Sequence, residues 1–511
     1  MMLFPSVIVL AVAPTTAAVP TTAAEHEASF QARWYPELAT AAAPASIGAE
    51  NVEYPSHCKL AVVGAGWGGA YLAWRLAVDT QTVNASDVCI FEANGRVGGR
   101  IYSIHGLPSF ADVAVDAGGY RFQETQRLPA DLVWSALKMP TTCYNWDCSQ
   151  SCEGNTCYVI KDAYGNNAGY AAVIERMLGE VEAAGGPGKQ VYFAAPLTRV
   201  SPAPSISASA STLKFANGQS VTADRVVLNM PGNAIENLAK GSSVFEGTKY
   251  SQSVLDAVSP FSMNKVYAWY DDAWWNTKLG LMEGYFTGHG GKAHKFAAPL
   301  HGRYHDGPQR CVIGKDTAGQ PVYSGKKILK GNCSGAIEVY YTGGAEYYQG
   351  FMSSKLQPLT VVTGGDSNRT MVEQGAKIGD AARNSKLLED VHAHLVAHHA
   401  PALQKAGVDP KSIAKPKTIV LSNWIVDGAY TPGIGHLYPP NNTTDDMARK
   451  AARKPVAQYE LYVVNQDYGY KSGWAVGSLA MAEKILQADI GLKKPSWLQD
   501  AWYQEWVLAH P

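Results

Sequence analysis

The sequence predicts a mixed α/β fold that opens on a βαβ unit, and three observations carry that expectation. CKLAVV (58–63) is a short apolar run ending at glycines. Apolar side chains then recur at helical spacing over residues 70–78, and a second apolar run, VCIFE (88–92), follows. Strand, tight turn, helix and strand are the elements of one parallel unit.

The rest of the chain is read in order. LTRVS, TLKFA and RVVLNMP, between residues 196 and 231, read as strands, as do KVYAWYDD and AIEVYYTGG. Residues 376–398 read as a helix with Leu387, Leu388, Val391 and Leu395 on one face. A last helix, GWAVGSLAMAEKIL, is expected from Gly473. No repeat with a period of roughly 20 to 50 residues is present.

At 511 residues the chain exceeds one ordinary core, so two or three domains are expected. Hydrophobic residues at 46% and a net charge of −1 give no electrostatic case for nucleic acid or an anionic membrane. Small molecules are the expected partners, and a homo-oligomer is compatible with this composition. Residues 1–24 hold a short apolar core followed by small residues, which reads as a secretory signal peptide lacking the usual basic start. Nothing approaches the ~20 apolar residues of a membrane helix.

Cysteine usage points to the same exported location. Cys143, Cys148, Cys152 and Cys157 crowd into CYNWDCSQSCEGNTC, whose apolar content is too small to pack unaided, and two local disulfides are expected there. Zinc is the rival, but no CxxC pair is present, and no metal is expected. Cys311 and Cys333 bracket a polar segment that a third bridge would close. Cys58 and Cys89 begin neighbouring strands and either pair or sit as small buried hydrophobes. Sequons at Asn84, Asn332, Asn368, Asn441 and Asn442 suit glycosylation in that compartment.

In GAGWGG, Gly64 permits a tight turn, Gly66 lets the backbone approach a pyrophosphate, and Gly69 lets the helix pack on the strand. Glu92 ends the second strand, where a carboxylate accepts from a ribose diol. A dinucleotide is therefore expected. The RVGGR that follows separates FAD from NAD: Gly98 and Gly99 allow a second close backbone approach, and Arg100 offers a fork of donors to pyrophosphate.

At this point the sequence resembles the flavin-containing amine oxidase superfamily, in which a glycine turn, a ribose glutamate and a GGR loop serve FAD. The resemblance is carried further by VDAGGYRF (115–122), with Gly118 and Gly119 near the isoalloxazine, and by ADRVVLNMP (223–231). It implies that Val200 contacts adenine, that Lys265 in MNKVYAWYDDAWW holds a water against the flavin, and that Trp424, Gly473 and Trp474 stand on the flavin side. One departure is plain. The family's Gly-Glu pair before the final helix is here Asn465 and Gln466, and Gln466 can bond a hydroxyl but supplies no charge.

Within that superfamily, GGYRF resembles the segment of secreted L-amino-acid oxidases whose arginine grips the substrate carboxylate, which assigns Arg121 that role. Tyr341 then takes the second carboxylate oxygen, the Gly473 carbonyl accepts from the amine and Trp474 walls the side. Each charge-assisted bond contributes roughly 1.5 to 3 kcal/mol, enough to select acids over amines. The activity implied is oxidation of L-amino acids to 2-oxo acids, with release of ammonia and hydrogen peroxide and dioxygen as acceptor. An amine or polyamine oxidase on the same fold is the alternative, and a secreted flavoprotein without oxidase activity is a third reading. His289, His294, His301, His305 and His436 read as surface or loop residues, one of which could tune a pocket. The expected division is a discontinuous FAD-binding domain (57–130, 190–262 and 455–490), a substrate-binding domain on a mixed sheet (263–350 and 416–454), and cysteine-rich and helical segments (131–189 and 351–415).

Overall fold

The computed structural model describes residues 52–510 except 106–112, 146, 151, 163–164, 187–189, 326–327, 344–345, 352–358, 364–369, 373–380 and 425–433. The expected signal peptide and the Asn368 sequon lie outside the described residues. In chain order, the elements that build the site are β1 (His57–Val63), α1 (Trp67–Trp74), β2 (Val88–Phe91), α2 (Ala171–Gly185), β3 (Val191–Tyr192), β4 (Leu197–Pro202), β5 (Ser211–Phe215), β6 (Ser220–Leu228) and α3 (Gly232–Gly241). They continue with β7 (Met263–Tyr270), β8 (Leu300–Arg303), β9 (Cys333–Gly343), α4 (Ala381–Lys405), β10 (Thr418–Trp424), β11 (Leu461–Val463) and α5 (Ala475–Ala488).

Among the described residues, two large sheets organise the chain. The first has seven strands, with β3, β2, β1 and β6 side by side and parallel, the β4–β5 hairpin extending it, and β11 pairing the far end of β6. β1 and β2 are buried along almost their whole length and read as continuous apolar runs, because α1 and α5 cover one face and a second core fills the other. The second sheet has nine strands, with β8, β9, β7 and β10 adjacent and antiparallel at its centre. Leu387, Leu388, Val391 and Leu395 of α4 pack on it through a third core, as their spacing predicts. The last helix begins at Ala475, two residues later than expected, because Gly473 takes φ +81° and Trp474 is extended.

All eight cysteines pair. Cys58–Cys89 bridges β1 and β2, Cys143–Cys148 and Cys152–Cys157 form two small loops, and Cys311–Cys333 closes the polar segment. Asn84, Asn332, Asn441 and Asn442 are exposed. Among the described residues, no helix is long and apolar enough to cross a membrane.

Candidate active site

The nucleotide end is set by the turn after β1. Gly64 has φ +103°, and a Cβ there would lie 2.0 Å from the backbone oxygen of Asn229, so only glycine fits. Asn229 also staples the turn to β6, because its amide donates to the Gly64 carbonyl at 2.9 Å and its N–H to Val63 at 2.7 Å. Gly66 stands at the start of α1, whose first N–H groups lack intrahelical partners and suit an anion. Gly69 lies beneath, against Val62, and takes no part in lining the cleft. Glu92 lines it, with one carboxylate oxygen accepting from the Ala65 N–H at 2.9 Å and the other from Asn94. The oxygen that accepts from Ala65 keeps a second lone pair for a diol, while the other is filled by the Asn94 N–H and side-chain amide.

The missing charge at Gln466 is supplied one residue later. Asp467 is buried and pairs with Arg100 at 2.5 Å while accepting from the Gly232 N–H at 2.7 Å. Gln466 donates to Asp467 and accepts from the Gly473 N–H, tying the start of α5 to the same cluster. Arg100, Gln466 and Gly473 all line the cleft with Gly98, Gly99, Gly118 and Gly119.

At the other end Lys265, on β7, is buried and donates to the carbonyls of Asp116 at 2.8 Å and Gly118 at 3.1 Å. The Ala117 carbonyl between them accepts from Trp424 Nε1 at 2.9 Å and Ser422 Oγ at 2.7 Å. Segment 116–118 is thus clamped by β7 and β10. On its opposite side a Cβ at Gly118 would lie 2.2 Å from the Arg100 carbonyl. Burial lowers Lys265 to about 7, so a proton is gained or lost there near neutrality.

A bulge shapes the neighbouring strand. Lys265 faces Tyr341 and Tyr267 faces Glu338, with the register shifting between Val266 and Tyr267. Glu338 and Tyr341, three residues apart, therefore share the face of Lys265, where simple alternation would separate them. Burial raises the Tyr341 hydroxyl, which stays neutral.

Arg121 is not among the residues lining the cleft and lies one layer back. It donates to Tyr120 Oη, approaches Asp306 at 3.5 Å and stacks over Tyr120 and Tyr144, with Trp474 6.0 Å away. A second guanidinium, Arg303 of β8, reaches the same Asp306 at 3.3 Å and lies 4.8 Å over the Tyr341 ring. Neither Arg303, Asp306 nor Glu338 carries a sequence signal, since they are scattered charges until β8 and β9 pair. His305 is the histidine drawn in: it is buried, 3.6 Å from Asp306 and edge-on to Tyr144. Val200, whose backbone the resemblance sets against adenine, does not line the cleft. Its N–H is spent on Ser242 Oγ at 2.9 Å and its side chain fills the second core, while Leu197 and Ala195, earlier in the chain, line the cleft.

The cleft runs from Gly64, Gly66 and Glu92 to Lys265, Tyr341, Trp424 and Trp474. Residues 62–132 match the NAD(P)-binding Rossmann-like domain, and residues 131–436 match the flavin containing amine oxidoreductase family. The chain belongs to the flavin-containing amine oxidoreductases.

Two curated relatives of this oxidoreductase match parts of the chain. Aplysianin-A of Aplysia kurodai is 24% identical over 56% of this chain and 42% of its own length. Achacin of Lissachatina fulica is 41% identical over 12% of this chain and 11% of its own. The chain thus spans less than half the length of either. A solved putrescine oxidase bound to putrescine covers 85% of this chain and 99% of its own, with a TM-score of 0.50 and 13% identity, a likeness of fold.

The cofactor is FAD, and the cleft of this oxidoreductase fits it. The helix start and the Arg100 fork suit a pyrophosphate, Glu92 suits a ribose, and the glycine stretches at 64–66, 98–99 and 118–119 keep the floor clear of side chains. Bound FAD supplies a two-electron acceptor. The chain's own part is to hold and orient: Lys265 donates from Nζ to the Gly118 carbonyl, and Trp424 and Trp474 line that end of the cleft with apolar rings.

Proposed function

We propose that the protein is a secreted FAD-dependent L-amino-acid oxidase, forming a 2-oxo acid, ammonia and hydrogen peroxide at the expense of dioxygen. The observation that carries this reading is the convergence of two guanidiniums, Arg121 and Arg303, on one carboxylate, Asp306, beside Tyr341. Burial and Asp306 raise the nearby Glu338 carboxyl, while Lys265 and Arg303 pull it back down. A substrate carboxylate would complete that cluster, whereas a polyamine would be repelled by it.

In this reading Tyr341 in the cleft wall meets the carboxylate, Arg121 attracts it from one layer back, the Gly473 carbonyl accepts from the amine, Trp474 forms the wall, and Lys265 handles the proton. Gly64, Gly66, Gly98, Gly99, Gly118, Gly119, Glu92, Arg100, Trp424 and Gln466 hold FAD. Four disulfides and no free cysteine suit an oxidising compartment. The Arg121–Asp306 pair favours one rival, an amine oxidase in which Arg121 is structural. Anaerobic absorbance titration with L-amino acids, D-amino acids and primary amines separates the two. Loss of the oxidised flavin band with L-amino acids alone supports the proposal, and bleaching by amines alone overturns it.

A further inference from the structure

The site contains a buried acid that the proposed reaction does not use. Glu338 has no solvent exposure, and among the described residues its carboxyl meets only the Asp306 carboxyl and the Tyr267 hydroxyl. Its closest cations stand just beyond bonding reach, Lys265 Nζ at 4.0 Å from one oxygen and Arg303 Nε at 3.8 Å from the other. An acid in that position is costly to ionise, and it is costly to leave unpaired, unless a neighbour's charge offsets it. The β-bulge that turns Glu338 onto the Lys265 face is itself a local departure from regular pairing, so the juxtaposition is built into the strand.

We propose that Glu338 is a positioning residue that sets the proton occupancy of Lys265, the two side chains acting as one coupled pair behind the flavin end of the cleft. The inference rests on the oxidase reading only in placing Lys265 beside the flavin. The groups facing the pair are Asp116 and Arg121 from the 116–121 segment, Tyr267 from β7, Arg303 from β8, Asp306 after it, and Tyr341 from β9. Glu338 and Asp116 favour the ammonium, while burial, Arg121 and Arg303 oppose it. Lys265 in turn favours the Glu338 carboxylate against burial and Asp306. Groups coupled this closely titrate as a pair, so removing one moves the other.

The test is a pH titration of the absorbance of oxidised, FAD-loaded protein without substrate, so it stays readable even if L-amino acids prove not to be substrates. The wild type should show a spectral step near neutral pH that K265M lacks. E338Q keeps the volume and loses the charge, and should move the step to lower pH by about one unit or more, a tenfold change in proton occupancy. E338D should shift it less than E338Q does. FAD affinity and near-ultraviolet circular dichroism should be unchanged in both Glu338 variants. A step unmoved in E338Q, a step that survives in K265M, or no step in the wild type each overturns the proposal. Should E338Q fail to fold, E338D alone decides by moving the step or leaving it in place.

Discussion

Arg100 and Asp467 form an ion pair at 2.5 Å although 367 residues separate them. Arg100 sits on the GGR loop and Asp467 beside the segment that leads into the last helix, so the pair fastens the beginning of the nucleotide-binding sheet to the end of the chain. Asp467 is almost completely buried, so its replacement by Asn would remove the carboxylate charge held against the guanidinium at the pyrophosphate end of the cleft. Asp467→Asn is expected to weaken FAD binding by roughly tenfold, about 1.4 kcal/mol, measured by fluorescence titration of flavin-free protein. Unchanged affinity would mean that Arg100 needs no partner to hold its place.

Arg121 and Arg303 provide a contrast within one cluster. Arg121→Ala is expected to raise the Michaelis constant for L-amino acids about tenfold to hundredfold, the worth of one charge-assisted bond, with kcat less affected. Steady-state kinetics with an amino acid and with the corresponding amine decide it. An equal effect on both substrates would make Arg121 a structural partner of Asp306.

Lys265 makes stability depend on pH. Its folded value of about 7 lies below the ordinary 10.5, so between those values the unfolded chain binds a proton that the folded chain does not. This group's cost is complete below pH 7 and fades as pH rises toward 10.5. Lys265→Met removes it. The variant's stability advantage should therefore be on the order of a few kcal/mol at about pH 6 and smaller at about pH 9 in urea unfolding with disulfides intact. An advantage that does not shrink would show that folded Lys265 keeps its proton throughout.

The two small disulfide loops reach the substrate side through Tyr144, which lies between Cys143 and Cys148 and stacks on Arg121 at 4.4 Å. Cys143→Ser/Cys148→Ser should raise the Michaelis constant severalfold while leaving FAD affinity unchanged. Closing so short a loop contributes roughly 2 to 3 kcal/mol, so a modest fall in melting temperature should accompany it. A loss of FAD would place the loop's role at the cofactor.

The nucleotide end was largely legible in the chain. Gly64 and Glu92 announce themselves because turn geometry and strand ends impose residue types at short, fixed spacings, whereas the neighbouring strands left Cys58 and Cys89 either paired or separately buried, and the structure pairs them. The substrate side was less so. Arg121 was readable only by resemblance, and Val200 was assigned to the cleft although Leu197 and Ala195 line it, because several apolar residues of that stretch look alike until packing assigns their sides.

By itself the sequence determined the order of elements, the glycine turn and its acid, the presence of local disulfides in the cysteine-rich loop and the apolar face of α4, since each depends on contacts between residues near one another in the chain. Tertiary structure alone decided that Asp467 replaces the charge absent at Gln466, that Arg303 joins Arg121 on Asp306, and that a bulge brings Glu338 round to Lys265. Those relationships join segments tens to hundreds of residues apart. A local pattern constrains only the few dihedral angles around it, whereas which distant charges meet is settled when the two sheets pack and buried groups must find partners.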